Sequence, residues 1–477
     1  MLRREFIVGG ALAARGFGAA ADSAAIQKSI DECAGRGGGV VKLPAGRYLI
    51  GTILLRDNVT LHLDEGARLV GSTDIADYQN IDSFTDGTGS AMGYCLVGAV
   101  GVKNAGITGA GAIDGQGKEL LARINRDRGK RPFLVRLVRC TGVTMSGVRL
   151  EAPAAWTTHF FQCRDVTAEG VNINSHAGPN NDGFDIDSCQ TVRIRNCSID
   201  TGDDAICLKT TSRVPCRDVT VTGCTLKSNC SGVKMGTESA GDFEDIHVSD
   251  CRILHAGLGG IKLLSVDGAR VRNVEISGIT MESGHVAVFL RLGSRLKTFR
   301  AGDTARETGT LANVRIHDLH GEVESTGIMI CGVPGHAVED VTLERIDLRV
   351  TGAGTREDAR VAVPEQEAAY PEIRMFGPKL PAYGLYARHT RNLRIAGLTL
   401  KTATPDPRPA AVCQDADGLR FSGWTAASQA DAECLVRLES VRGAALEAFH
   451  VEGNGRQLLL VEGASREIRL DNKVVHL

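Results

Sequence analysis

Asp182, Asp203 and Asp204 are carboxylates at matching places in a repeat of about 27 residues. They lie in Asn180-Asn181-Asp182-Gly183-Phe184-Asp185-Ile186-Asp187 and in Gly202-Asp203-Asp204-Ala205-Ile206-Cys207-Leu208-Lys209. Aligned on their apolar positions, the two segments set Asp182 level with Asp204, with Asp203 just before it. If each repeat is one rung of a solenoid, adjacent rungs lie roughly 4.8 Å apart, and three carboxylates converge on one patch. Such crowding is costly unless one carboxyl stays protonated, which is how an acid and a base coexist at one pH. The set is suited to hydrolysis by general acid–base catalysis. Asp also favours turns, but a doubled Asp beside a third one rung away is poor turn design, because the charges repel.

The elements that must hold these residues are legible as a repeat. Positions 140, 163, 189, 216, 243 and 270 are equivalent, at spacings of 23, 26, 27, 27 and 27. Cys163, Cys189 and Cys216 occupy one column, and Cys197, Cys224 and Cys251 another. Later rungs start near Asn313, Asp340, Asn392 and Gly418, with loops inserted at 294–310 and 351–384. Within each repeat, short alternating stretches such as Val219-Thr220-Val221 read as strands with one buried face. Gly, Asn and Asp punctuate them at turn positions. The one helical pattern runs from Ser23 to Ala34, with Ile26, Ile30 and Cys33 on one face and Asp22 or Ser23 as its N-cap. Such a helix suits the end of a solenoid, where the first rung would otherwise meet water. The expected fold is all-β, a right-handed parallel β-helix with a short N-terminal capping helix. Propeller blades of about 40 residues fit the spacing poorly.

A net charge of −2 and a pI near 6.6 point to neither nucleic acid nor a membrane surface as partner. Aromatic residues make up only 4% of the chain, so no extended sugar-stacking platform is visible in the composition. The start Met1-Leu2-Arg3-Arg4-Glu5-Phe6-Ile7-Val8 reads as a twin-arginine export signal over 1–21, its cleavage point open, ahead of one β-helix domain over 22–477. The mature protein is then expected in the periplasm or outside the cell, as a monomer. Fourteen cysteines in an exported chain would ordinarily suggest disulfides. Their columns argue instead for a stacked interior ladder of thiols, and no spacing suggests a zinc site.

With the repeat and the aspartates in hand, the chain resembles glycoside hydrolase family 28, the polygalacturonase-like pectin hydrolases, from about Ser23 to about Ser422. Ala24-Ala25-Ile26-Gln27, Gly37-Gly38-Gly39-Val40-Val41, Leu43-Pro44-Ala45-Gly46 and the glycine-rich Gly109-Ala110-Gly111-Ala112-Ile113-Asp114-Gly115-Gln116-Gly117 carry the likeness in fold. The catalytic signatures are Asn180-Asn181-Asp182, with Asn181 where the family has Thr, and an intact Gly202-Asp203-Asp204. The resemblance implies that Asp203 is the general acid, while Asp182 and Asp204 hold and activate water. That matches inverting hydrolysis, whose two carboxyl functions stand roughly 6.5–9.5 Å apart to admit the water. Two signatures depart from the family pattern. Ser231 stands where a His is expected, and Lys262 and Leu264 stand where an Arg and a Lys would clamp a galacturonate carboxylate. Lys234 and Lys262 fall on equivalent outward positions and are expected to rebuild an anion site together, although Lys lacks the guanidinium fork.

Further substrate-binding candidates are Asn180, Ser231, Arg291 and Trp156, the last either stacking under a sugar ring or filling the cleft wall. Arg295, Glu238, His285, Tyr383, His159 and His176 are weaker candidates for the cleft wall. The leading expectation is an inverting glycosidase on pectin-like or other acidic polysaccharide or oligosaccharide, made exo-acting by the insertions, with no cofactor and no metal. A lyase on the same fold would instead hold Ca²⁺ with Asp182, Asp185, Asp187, Asp203 and Asp204. A non-catalytic carbohydrate-binding solenoid is the third reading, and it leaves the crowded aspartates unexplained.

Overall fold

Val166, Val192 and Val219 are buried, and they lie directly opposite one another in the parallel strands Arg164–Glu169, Gln190–Arg195 and Cys216–Thr222. This ladder steps by the repeat read from the sequence. A second ladder stacks Ile173, Ile199 and Leu226, and a third stacks Phe160, Ile186 and Leu208. Each turn of chain therefore contributes three short strands whose inward residues meet in one core. The fold is a right-handed parallel β-helix, the hand that parallel crossovers favour. A buried Val, Leu or Ile contributes about 1.5–3 kcal/mol relative to exposure, so the columns set the register.

The computed structural model describes residues 5–7, 18–471 and 473–475. The chain forms two compact units, Met1–Cys230 with Phe299–Asp303, and Ser231–Thr298 with Thr304–Leu477. Of the segment read as an export signal, residues 1–4 and 8–17 lie outside the described residues. Glu5–Ile7 pairs in parallel with Val40–Lys42, and residues 19–21 open the first helix. Among the described residues no helix is long and apolar enough to cross a membrane.

In the first unit the helix Ala19–Gly35 buries Ile26, Ile30 and Cys33 as expected, but its N-cap is Gly18. Asp22 and Ser23 face the first strands instead. Asp22 Oδ2 accepts from the Leu49 backbone N–H at 2.9 Å and Ser23 Oγ from that of Gly51 at 2.8 Å. They satisfy backbone donors of the strand Gly46–Ile50 and of the residue that follows it. A second helix, Gly117–Arg123, was invisible to periodicity at seven residues.

In the second unit the strands Ser231–Ser239, Gly259–Ser265, Val288–Leu292, Ile328–Cys331 and Leu385–Arg391 form one parallel ladder. In another ladder, that of Phe243–Ser249, Arg270–Met281 and Thr310–Val323, left-handed residues stack, with Asn273 Nδ2 donating to Asp245 at 2.8 Å and Asn313 Nδ2 to Asn273 at 2.6 Å. Asn and Asp tolerate that conformation better than other side chains. The insertion at 351–384 packs Ile373, Phe376 and Leu380 on Leu264, Phe289, Met329 and Tyr386.

All fourteen cysteines are thiols, and thirteen are buried. The sulfur ladder is present, with Cys163 N–H donating to Cys189 Sγ at 3.3 Å. Burial pushes the Cys331 thiol up to about 11 and that of Cys413 up to about 12, far from the thiolate that reacts. A thiol reagent at neutral pH is therefore expected to label at most the half-buried Cys230 in the native protein, and all fourteen after unfolding. Rapid labelling of several thiols in the native state would contradict this packing.

Candidate active site

Gly183 follows Asp182 because the next rung passes too close for a side chain. A β-carbon there would collide with the Ala205 carbonyl oxygen. The Gly183 N–H donates to the Asp204 carbonyl at 2.9 Å, and Thr157 N–H donates to that of Asp182 at 2.8 Å. Asp182 and Asp204 thus sit on consecutive rungs at the same height. Both are 2% exposed. Oxygens of the two carboxylates and Cys207 Sγ lie within 4.8 Å of one another.

Asp203 is half-buried and differs in setting from the other two. Hydroxyls of Thr201 and Ser228 both donate to its carbonyl at 2.6 Å, which fixes the turn through the backbone rather than the carboxylate. Its Oδ1 accepts from the Asp204 N–H at 3.0 Å and its Oδ2 from Asn180 Nδ2 at 3.4 Å. Asn181, in place of Thr, ties down the preceding loop. It donates to the carbonyls of Pro153 and Ala155 at 3.1 and 2.8 Å and accepts from Gly178 N–H at 2.6 Å.

The charges around Asp182 are the chief electrostatic fact of the site. Burial raises its pKa well above the usual carboxylate range, and Asp185, Asp203 and Asp204 add to the rise, while Lys209 opposes it. Lys209 Nζ stands 3.5 Å from Asp182 Oδ2, 3.4 Å from Asp185 Oδ1 and 4.2 Å from the Trp156 ring centre. Trp156 is 3% exposed, and packs on Phe133 with ring centres 5.4 Å apart. It is therefore a wall that carries Lys209, the second of the two roles read for it from the sequence.

Sequence reasoning missed Lys209 and Arg131. Lys209 lies opposite Asp187 in the strand register, so the repeat itself held that signal. Arg131 comes from an insertion with no periodicity. It is 1% exposed, and its guanidinium donates to Pro179 O at 2.7 Å and Asn180 Oδ1 at 3.2 Å. Asn180 thus links Arg131 to Asp203. His159 is fully buried on Asp187 at 3.1 Å, and burial lowers its pKa to about 4. Asp187 also accepts from Ser188 and from Thr211 N–H and Oγ1 at 2.9, 2.8 and 2.5 Å, a structural network rather than a cation shell. His176 is an exposed partner of Asp200 at 2.7 Å. The thiol in the group formed by Asp182, Asp204 and Cys207 is a soft ligand, ill-suited to the hard Ca²⁺ that a lyase would use.

In the second unit Lys234 lies opposite Lys262, as the repeat predicted, and Ser231 lies opposite Gly259. All three side chains are buried. Lys262 Nζ is held by Glu372 Oε1 at 2.6 Å, so a carboxylate of the insertion already occupies that cation. Ser231 Oγ makes no hydrogen bond among the described residues. Leu264, where the family pattern has Lys, lies under the apolar roof of the insertion.

Arg291, expected as a ligand-binding residue, is 1% exposed. It donates to the carbonyls of Gly332, Glu365 and Gln366 at 2.8, 2.9 and 3.0 Å. Arg388, two ladder steps further on with Cys331 between them, donates to Val363 O and Pro364 O at 2.7 and 2.8 Å. The two arginines pin the insertion's backbone. Arg295 makes a two-pronged pair with Asp267. Tyr383 is buried with its hydroxyl on Ala427 O at 2.5 Å, Glu238 is buried, and His285 is half-buried.

The profile of "Glycosyl hydrolases family 28" matches residues 40–369. A probable polygalacturonase of Vitis vinifera is 28% identical over 289 residues, 56% of this chain and 59% of that protein. The chain thus spans about three-fifths of the length of such curated relatives. Among solved structures, a family 28 exopolygalacturonase of Yersinia enterocolitica aligns with a TM-score of 0.65 at 18% identity, over 88% of this chain and 78% of that one. An exopolygalacturonase of Thermotoga maritima aligns with a TM-score of 0.57 at 23% identity, over 73% and 87%. These two similarities establish fold.

Proposed function

The chain belongs to glycosyl hydrolases family 28, and from that premise we propose that it is an inverting hydrolase of pectin-like, acidic oligosaccharide or polysaccharide. Asp203 is the acid, and Asp182 with Asp204 holds the attacking water. The observation that carries this division is exposure. Only the half-buried Asp203 can reach a bulky glycosidic oxygen, whereas Asp182 and Asp204, at 2% exposed, can reach only something as small as water. A water bridging two oxygens with ordinary hydrogen bonds spans up to roughly 5.4 Å, so a gap within 4.8 Å admits it. Asp203 would give its proton to the leaving oxygen while the pair takes one from the water, and the two exchange states before the next turnover.

Similar proteins named polygalacturonase and exo-poly-alpha-D-galacturonosidase support the substrate class. The insertions at 294–310 and 351–384 support exo action, since loops of this kind set cleft access. Arg3-Arg4 and the short apolar run after them support export, to the compartment where polysaccharide is met. Incubation with polygalacturonate, rhamnogalacturonan and their short oligomers, with products analysed by mass and by NMR of the new reducing end, tests the reading. Saturated monosaccharide released with inverted configuration is expected. Unsaturated product, or retained configuration, would overturn it.

A further inference from the structure

Asp185 and Lys209 are buried ionisable groups for which the hydrolytic mechanism has no assigned use. Asp185 lies on the strand that follows Asp182, and Lys209 on the strand one rung further on. The ammonium stands at 3.5 Å from one carboxylate and 3.4 Å from the other, on the face of Trp156 at 4.2 Å. All three charged side chains are at most 4% exposed. At such depth water screens little, and the pairing energies are much larger than on the surface.

We infer that Lys209 and Asp185 set the charge of Asp182 in opposite senses, Lys209 as a positioning residue that favours the ionised Asp182 needed to hold water, and Asp185 as the competitor that restrains it. The inference rests on the reading of Asp182 as part of the base. One ammonium serves two buried carboxylates, so Asp182 has only a share of it. Around Asp182 stand Asp185 on the strand that follows it, Asp203 and Asp204 on the next turn, Lys209 and Cys207 beyond them, and Arg131 from the segment before the strand Phe133–Val138. Of these, Lys209 alone forms an ion pair with the Asp182 carboxylate among the described residues. Trp156 covers one side of the ammonium, which stands at nearly equal distances from the two carboxylates, 3.5 and 3.4 Å.

The experiment compares wild type with Lys209→Met, Lys209→Arg and Asp185→Asn. It follows the Asp182 carboxyl by NMR titration of protein carrying ¹³C-labelled aspartate, with Asp182→Asn to assign the signal. In parallel, the pH profile of kcat/KM is recorded on a cleaved oligosaccharide. In Lys209→Met the Asp182 titration and the acid limb are expected to move up by one pH unit or more, the usual effect of losing an opposite charge at this range. That corresponds to at least a tenfold loss of kcat/KM at a pH on the limb. In Asp185→Asn both are expected to move down, and Lys209→Arg should stay near wild type. A merely structural role would lower kcat evenly across pH and move neither limb. Unmoved titrations, or shifts of the same sign in both variants, overturn the inference. If Lys209→Met does not fold, the downward shift in Asp185→Asn still decides. Titrations that move as stated in a protein that cleaves nothing would sustain the charge assignment and refute the hydrolase reading. Cleavage with unmoved titrations would do the reverse.

Discussion

Asp203→Asn is expected to leave a folded protein whose turnover falls by roughly 10²–10⁴-fold, the usual contribution of a general acid. Asparagine keeps the shape and retains an acceptor for the Asp204 N–H, but has no proton to give. The fold should survive because Thr201 and Ser228 hold the Asp203 carbonyl, not its carboxylate. Removing one of three crowded carboxylates also relieves repulsion, so the melting temperature should not drop. The sharper check uses a substrate with a good leaving group, such as a nitrophenyl glycoside of the sugar that is released. Such a group needs no protonation, so it should restore much of the rate in Asp203→Asn and none in Asp182→Asn. Rescue of Asp182→Asn instead would interchange the two roles. More than a tenth of wild-type activity in Asp203→Asn would remove Asp203 from the chemistry.

The placement of these aspartates is largely legible in the sequence, because it depends on register. Cys163, Cys189 and Cys216 repeat at the spacing of the inner columns, and the same spacing sets Asp182 opposite Asp204. What the repeat could not give is what covers an outward side chain. Trp156 falls level with Asp182 as predicted, yet its face is taken by Lys209, which reaches back from the rung after Asp182. Lys262 was correctly placed beside Lys234, but its partner, Glu372, is 110 residues away in an aperiodic segment. Leu264 reads as a lost ligand in isolation and as a core residue once Phe376 and Leu380 lie over it. Asp22 carries the composition of a helix cap, and its use instead to satisfy Leu49 N–H depends on the strand that the helix covers. Patterns with a period were readable; contacts made by inserted chain were not.

Arg291→Ala should destabilise the second unit by roughly 3 kcal/mol or more, since each buried hydrogen bond to a charged group contributes about 1.5–3 kcal/mol and such bonds do not add fully. Three carbonyl oxygens lose their donor, those of Gly332, Glu365 and Gln366. Burial already lowers the Arg291 pKa, so its charge is maintained against a real cost, and the compensation comes from those carbonyls together with the ring of Phe376 at 5.2 Å. Lysine cannot substitute. Its compact ammonium lacks the planar fork that reaches carbonyls on two segments at once and stacks on an aromatic face, so Arg291→Lys should recover less than half of the loss. The failure should also be local before it is global. Arg388 still holds Val363 and Pro364, so the chain just after them should become the first site of proteolytic cleavage, at temperatures where the β-helix stays folded. Urea unfolding, with mass analysis of the early fragments, checks both statements. If the variant unfolds like wild type, resists cleavage in the insertion and instead binds an acidic oligosaccharide more weakly, then Arg291 contacts substrate after all. In that case its three carbonyl bonds would be exchanged for a ligand during binding.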